Sequence, residues 1–171
     1  MKIVGIDPGL ASTGIGIVQG NKKILQTYSF CTITTSKELI LSKRLNFIYS
    51  EVYSIIEKEN PDLIVIEEVF SLQKYPKSAI TLGQVSGVIQ LTGSMFDIPM
   101  IEIPVREAKQ VLTGNGNANK VQLEKSVRNH LNRTDPVKPF HASDALALAL
   151  IGFFRFNSRC RLQDKDFGKS A

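Results

Sequence analysis

The segment KIVGIDPG, residues 2–9, decides the start of the fold and contains the first candidate site residue. Residues 2–6 are mostly apolar and predict a short strand, which Pro8 and Gly9 break directly after Asp7. A carboxylate at the end of a buried strand is costly unless it is solvated, paired or bound to a cation. Because Asp also suits turns, the segment alone is as consistent with a turn as with a metal site.

Two more strands are expected soon after the first. Residues 14–18 predict a second strand, and Gly20 and Asn21 mark a turn. Residues 24–34 are rich in β-branched and aromatic side chains and predict a third strand. Three strands in quick succession indicate an antiparallel meander.

The apolar spacing then changes to three and four residues, which predicts helices. The apolar run LIVI at 63–66 predicts a strand buried on both faces. The other predicted elements are helices at 37–58, 78–95, 121–131 and 142–154 and a strand at 99–103. Helices alternating with strands predict an α/β fold, a five-stranded mixed sheet flanked by helices. The domain is expected to span residues 1–156, followed by a basic, flexible tail at 157–171.

Composition is typical of one globular domain. The 171 residues are 43% apolar and 22% charged, with a net charge of +5 and a pI of about 9.2, which is compatible with a polyanionic partner. Cys31 and Cys160 form no metal or disulfide pattern and are expected to be reduced thiols. Without a secretory signal or an apolar run of ~18 residues, a soluble, cytoplasmic protein is expected.

Further acidic residues lie at the ends of predicted elements. Glu67 and Glu68 end the LIVI strand, and Asp144 lies in the predicted first turn of the last helix, three residues after His141. Parallel strands end at one edge of a sheet, where ligands usually bind. Carboxylates gathered there would suit Mg²⁺ or Mn²⁺, and two such ions can activate water and stabilise the leaving oxygen of a phosphodiester.

Each of these residues also has an ordinary structural interpretation. Asp144 could simply interact with the helix dipole. One of Glu67 and Glu68 could be a solvated edge residue, and strand parity does not choose between them because both faces of the strand are expected to be buried. His141 alone is typical of a surface or core histidine. The functional interpretation therefore depends on the four positions occurring together.

The sequence resembles the RuvC family of bacterial Holliday junction resolvases. The matching motifs cover residues 2 to about 154 in the family's order. They are GIDPGLASTGIGIV at 5–18, IVIEEVF at 64–70, SAITLGQVSGVI at 78–89, PVREAKQVLTGNGNANKVQ at 104–122 and HASDALALAL at 141–150. The resemblance implies a ribonuclease H-like fold and a homodimer that makes paired, symmetric nicks in four-way DNA junctions during recombination and repair. It also implies two Mg²⁺ ions per active site, with Mn²⁺ as a substitute, and contacts with the RuvA–RuvB branch-migration complex.

The resemblance implies roles for individual residues. Asp7, Glu67 and Asp144 match the family's catalytic carboxylates, which selects Glu67 over Glu68. His141 stands where many members have Asp and others have His, and it completes the implied metal-binding set. Since histidine is a softer ligand than a carboxylate, it could favour Mn²⁺ or act through a water or a phosphate oxygen.

Other matches concern DNA and the second subunit. Lys109 and Lys120 match basic residues near the scissile phosphate, and Lys120 is also assigned to catalysis, although it could lie on a solvated helix face. An aromatic residue at the position of Phe70 stacks on or wedges against junction bases in the family. The alternative interpretation is that Phe70 covers the core at the end of the strand. Further DNA contacts are expected at Lys74, Tyr75 and Lys77. The helix that contains Gly83 and Gly87 is implied to lie at the dimer interface.

Three other functions compete with junction cleavage. Sugar kinases and actin-like ATPases also begin with a strand, an Asp-Gly turn and a hairpin, but they need a second lobe that 171 residues do not supply. A DNA-binding module without catalysis would not need the acidic set. A related nuclease that acts on RNA or on RNA–DNA hybrids is the nearer alternative.

Overall fold

The computed structural model describes residues 1–21, 24–69 and 76–166, with side chains for 1–21, 24–69 and 77–156. Five strands and five helices occur in these residues. They are β1 (Lys2–Asp7), β2 (Ser12–Asn21), β3 (Ile24–Thr34), α1 (Leu41–Glu59), β4 (Leu63–Glu67), α2 (Pro76–Ser94), β5 (Met100–Ile103), α3 (Val105–Thr113), α4 (Lys120–His130) and α5 (Phe140–Asp166).

The strands form one mixed sheet in the order β3-β2-β1-β4-β5. β1, β2 and β3 are antiparallel neighbours, so the predicted meander is confirmed, whereas β1–β4 and β4–β5 are parallel pairs. Ile6 lies opposite Ile66 in the parallel register, so Asp7 and Glu67 follow at adjacent strand ends. The sheet therefore brings the first two candidate acids to the same edge.

Apolar side chains on the two faces of the sheet form two cores. Ile64 and Ile66 of β4 belong to the core under α1 and α2, whereas Leu63 and Val65 belong to the core under α3, α4 and α5. Because side chains alternate along a strand, a run of four apolar residues can supply both cores. The prediction that this strand is buried on both faces is confirmed.

Helix α5 lies directly against β1 and β2 because glycines allow its backbone to approach. A Cβ atom at Gly14 would overlap the carbonyl oxygen of His141, and one at Gly5 would lie 2.5 Å from the backbone nitrogen of Ala149. The helix contributes small buried residues to this contact, including Ala145 and Ala149. Close packing fixes the start of α5 above the end of β1.

Two predicted helix boundaries were wrong. α1 begins at Leu41 because residues 37–40 form a turn, in which the Ser36 hydroxyl accepts a hydrogen bond from the backbone of Glu38 at 3.1 Å. α5 runs from Phe140 to Asp166, beyond the predicted 142–154, because no Pro or Gly interrupts residues 153–166. Asp144 is thus the fifth residue of α5, past its first turn, which weakens the interpretation of Asp144 as a dipole partner.

Helix α5 also overlaps the predicted tail. Its backbone is helical to Asp166, so the boundary at 156 does not coincide with the end of an element. The flexibility of residues 157–171 stays a prediction. Cys31 is a free, exposed thiol on β3. Within the described residues, no helix has the length and apolar character needed to cross a bilayer.

Candidate active site

The structure brings six of the sequence-predicted site residues to one cavity. The cavity has a volume of about 260 Å³ and lies at the edge of the sheet where β1 and β4 end. Val105 contributes an apolar wall. The six predicted residues that line it are Asp7, Glu67, Lys109, Lys120, His141 and Asp144.

The acids are positioned by two kinds of element. Asp7 and Glu67 are the last residues of β1 and β4, which are adjacent parallel strands. His141 and Asp144 are three residues apart on α5, so both side chains project from the same face of the helix. The register of the sheet and the close packing of α5 together determine the distances within the site.

Asp7 and His141 are in direct contact in the cavity. Oδ2 of Asp7 lies 2.6 Å from Nδ1 of His141, and Asp7 is only 7% exposed. The hydrogen bond to Asp7 raises the pKa of His141, with the opposing effect of burial coming second. A protonated His141 would donate this hydrogen bond, which holds the Asp7 carboxylate in one orientation.

Burial and neighbouring negative charges raise the pKa of Glu67 and of Asp144. Burial raises the pKa of Glu67 to about 8, and the negative charge of Asp7 and a hydrogen bond with Asp7 add to the effect. Burial, and then the charge of Asp7, also raises the pKa of Asp144, although Lys120 opposes this shift. Buried carboxyl groups beside a further acid form a site where a cation would be stabilising.

The donor set fits a hard divalent cation in its chemistry. Oδ1 of Asp144 is buried without a hydrogen-bond partner, an arrangement that is costly unless a cation or water satisfies the oxygen. In the described part of the chain, however, no three His, Cys, Asp or Glu side chains are already arranged to hold a metal ion. The Asp7 carboxylate is bonded to both His141 and Glu67. Metal binding would therefore require these side chains to exchange partners.

Lys120 is positioned by the start of α4. Asn119 caps this helix: its side chain accepts from the backbone of Gln122 at 2.9 Å, and the Gln122 side chain accepts from the backbone of Asn119 at 2.9 Å. Nζ of Lys120 lies 3.8 Å from Oδ2 of Asp144, and the Lys120 side chain is 61% exposed. Such an exposed cation can reach a phosphate that enters the cavity.

Glu124 is a supporting residue that the sequence interpretation missed. It is 4% exposed, and its Oε1 accepts a hydrogen bond from the backbone of Val137 at 2.8 Å. Nε of Arg128 also lies 2.8 Å from this oxygen, and Nη1 donates to the carbonyl of Thr134. Glu124 therefore ties α4, which carries Lys120, to the loop that leads into α5. A glutamate among buried Leu and Val positions of a helix was the available signal.

The predicted DNA contacts are only partly described. Phe70, Lys74 and Tyr75 lie outside the described residues. Lys77 is exposed near the start of α2 and lines a separate cavity beside Leu10, so it does not join the acidic cavity.

The strand order, with acids at the ends of β1 and β4, defines an α/β protein with a ribonuclease H-like fold. Residues 3–152 match the family model described as crossover junction endodeoxyribonuclease RuvC. The chain is also 38% identical over 155 residues to the crossover junction endodeoxyribonuclease RuvC of Carboxydothermus hydrogenoformans, covering 91% of this chain and 97% of the relative. The chain therefore belongs to the RuvC family, and the resemblance drawn from the sequence is confirmed.

Solved structures agree with this assignment. The Thermus thermophilus RuvC structure superposes with a TM-score of 0.81 and 26% identity, over 92% of this chain and 96% of that one. A second structure, T. thermophilus RuvC in complex with a Holliday junction substrate, has the same TM-score of 0.81 at 24% identity and the same coverage of both chains. At 24% identity, the likeness to the structure of the complex is evidence for a shared fold.

Proposed function

We propose that this chain is a divalent-metal-dependent endonuclease that resolves four-way DNA junctions by paired, symmetric nicks. The observation that carries the proposal is the convergence of Asp7, Glu67 and Asp144 with two lysines in one cavity, in a chain of the RuvC family. The Thermus thermophilus relative has been solved with a Holliday junction substrate. Roles in recombination and repair follow from that substrate.

The residues divide the chemistry between them. Asp7, Glu67 and Asp144 would hold the metal ions, with His141 as the fourth candidate ligand. When bound, two Mg²⁺ ions supply an activated water and stabilise the leaving oxygen, and Mn²⁺ would substitute. In hydrolysis the water adds to phosphorus while one ester bond breaks. Lys109 and Lys120 offset the negative charge that develops on the phosphate oxygens.

His141 has two possible roles in this scheme. Its Nδ1 lies against Asp7 at 2.6 Å, so it can orient this carboxylate without touching metal. Direct ligation by Nδ1 needs a neutral ring whose lone pair is free, and the raised pKa of His141 opposes that state. The geometry therefore favours orientation of Asp7 over ligation through Nδ1.

DNA recognition would extend beyond the cavity. Lys77 is exposed and can contact a phosphate. Phe70 is proposed to stack on or wedge against a base at the junction, and Lys74 and Tyr75 are proposed as further DNA contacts. Stacking on an aromatic ring is worth about 1–3 kcal/mol per base and tolerates different sequences.

Symmetric cutting requires two copies of the chain, and the exposed face of α2 supports a homodimer. Ile80 and Leu91 on this face are 64% and 60% exposed. Between them, Cβ atoms added at Gly83 and Gly87 would meet nothing within 4 Å, so another helix could approach closely. We define the α2 face by these four residues. A two-fold axis through it would place one cavity on each side of a junction.

Three further points belong to the same proposal. The nuclease domain would comprise residues 1–156, and the basic residues of 157–171 could add phosphate contacts. The RuvA–RuvB complex would deliver the junction by branch migration. A nuclease that acts on recombining chromosomal DNA would work in the cytoplasm.

Comparing three substrates tests the function. The wild-type protein should nick a synthetic four-way junction in the presence of Mg²⁺, at paired positions on opposite strands. A linear duplex and an RNA–DNA hybrid of the same sequence should be cut at least tenfold more slowly. Equal cutting of the hybrid would instead indicate a ribonuclease. Binding of the junction without cutting would indicate a non-catalytic module.

A further inference from the structure

The segment 8–11 joins β1 to β2 and follows directly after Asp7. Because Asp7 is the last residue of β1, the backbone of this segment helps to set the direction of the Asp7 carboxylate. The buried hydroxyl of Thr13 donates to the carbonyl of Gly9 at 2.8 Å, which holds the first half of the segment. The second half is held by side chains from outside the β1–β2 hairpin.

Two side chains bind the carbonyl oxygen of Leu10, three residues after Asp7. The hydroxyl of Thr35 donates to this oxygen, and Nη2 of Arg44 donates to it at 3.2 Å. Nε of Arg44 also donates to the Thr35 hydroxyl at 2.8 Å. Since a guanidinium has no acceptor, the single hydroxyl proton of Thr35 must point toward Leu10. We define the Leu10 network by Leu10, Thr35 and Arg44.

Arg44 connects this network to a well-packed part of the fold. It is half-buried on α1, and Ile48 and Val52 of the same helix are buried in the core on one face of the sheet. Thr35 is only 6% exposed, and its backbone N–H donates to the carbonyl of Ala11 at 3.2 Å. The network therefore ties the turn between β1 and β2 to the core through α1.

We propose that Arg44, acting through Thr35 and the Leu10 carbonyl, is a positioning residue that holds the Asp7 carboxylate in the orientation that binds metal. This inference rests on the proposed nuclease function. Of the described residues that line the acidic cavity, none belongs to α1, so Arg44 would act on the site through the turn. Residues that support a metal ligand in this way commonly change metal affinity or activity about 10- to 100-fold.

Titration calorimetry with Mn²⁺, in the absence of DNA, measures the effect on metal affinity. Arg44→Met should weaken Mn²⁺ binding about tenfold. Loss of a positive charge would by itself strengthen the binding of a cation, so this result has the opposite sign from simple electrostatics. Lys43→Met removes a charge from the neighbouring, exposed position and should not weaken Mn²⁺ binding. If Arg44→Met is less stable to heat but binds Mn²⁺ as tightly as the wild type, the role of Arg44 is only structural and the proposal is overturned.

Thr35 supplies a second pair of variants for the same measurement. Thr35→Ser keeps the hydroxyl and should bind Mn²⁺ as the wild type does, whereas Thr35→Val keeps the shape but should bind Mn²⁺ more weakly. Combined with Arg44→Met, Thr35→Val should add little further loss, because both changes break one network. Fully additive losses would contradict a role of Arg44 that acts through Thr35.

Junction assays separate this inference from the nuclease proposal. Arg44→Met should need about tenfold more Mg²⁺ for its half-maximal single-turnover rate, while its affinity for the junction without metal stays unchanged. Weaker junction binding with normal Mn²⁺ affinity would make Arg44 a DNA contact and would overturn the positioning role. If the wild type cuts no junction, the nuclease proposal itself fails, whereas the Mn²⁺ titration still tests whether Arg44 positions Asp7.

Discussion

The acidic cavity is formed within a single chain, whereas the α2 face leaves apolar side chains exposed. Residues from two strands and three helices line the cavity, and Asp7 and Asp144 are 7% and 8% exposed. On the α2 face, Ile80 and Leu91 are left in solvent around two glycines with open space above them. One chain thus brings together the groups for the chemistry, whereas the proposed pairing of two cuts would need a second copy.

The largest expected effect is on the chemistry in the cavity. Asp144→Asn should slow junction cleavage at least about 1,000-fold, roughly 4 kcal/mol in the barrier, because an amide is a much weaker metal ligand than a carboxylate. Single-turnover cleavage with Mg²⁺ measures this loss. Asp97→Asn is the matched control, since Asp97 is exposed and has a positive φ of 54° that Asn tolerates. Full activity in Asp144→Asn would mean that the cavity is not the catalytic site.

The next effect concerns the support of the cavity by Glu124. Glu124→Ala should lower the free energy of unfolding by about 2–4 kcal/mol, because it leaves the Val137 N–H and Arg128 without their buried partner. Glu124→Gln keeps an acceptor for Val137 and should lose less. Urea unfolding measures both changes. Unchanged stability in the Ala variant would show that this buried contact does not hold the loop before α5.

A smaller effect is expected on the α2 face. Leu91→Glu should weaken dimerisation at least tenfold, about 1.4 kcal/mol, by placing a charge in an interface. The variant should form monomers in sedimentation and should cut the two strands of a junction independently. Ile24→Glu, 70% exposed on β3, should remain dimeric. A dimeric Leu91→Glu variant would assign the interface to another surface. The α2 face would then not be the region that a second copy covers.

The smallest effect is the pH dependence of stability without metal. The pKa of Glu67 is raised to about 8 from an ordinary value of 4.5, so the folded protein holds a proton that the unfolded chain releases. Stability is therefore lost as pH rises from about 4.5 to 8. Glu67→Gln removes this loss and should be at least about 1 kcal/mol more stable than wild type at pH 8, but not at pH 4. Thermal unfolding in a chelator measures the difference.

The control for this measurement is Glu57→Gln, an exposed position on α1, which should change stability equally at both pH values. Adding Mg²⁺ should stabilise the wild type, by about 2.7 kcal/mol at 100 times its dissociation constant, and should stabilise Glu67→Gln less. An advantage of Glu67→Gln that does not vary with pH would contradict the raised pKa.

Local pattern was sufficient to predict most of the fold. The LIVI run and the meander predicted the strands well, because burial on one or both faces leaves a direct mark on the sequence. The predicted end of α5 was wrong because a polar extension of a helix carries no periodic apolar pattern. The choice of Glu67 over Glu68 needed the family resemblance, since the strand is buried on both faces. Glu124 was missed because its partner Val137 is brought to it by tertiary folding.

Cleavage of a four-way junction by the wild type and by Asp7→Asn is the most direct test of the account. Asp7 lies at the centre of the site, bonded to His141 and to Glu67. With Mg²⁺, the wild type should make paired nicks, and Asp7→Asn should bind the junction but cut it at least about 1,000-fold more slowly. Undiminished cutting by Asp7→Asn, or no cutting by the wild type, would contradict the assignment of this cavity as the active site of a junction nuclease.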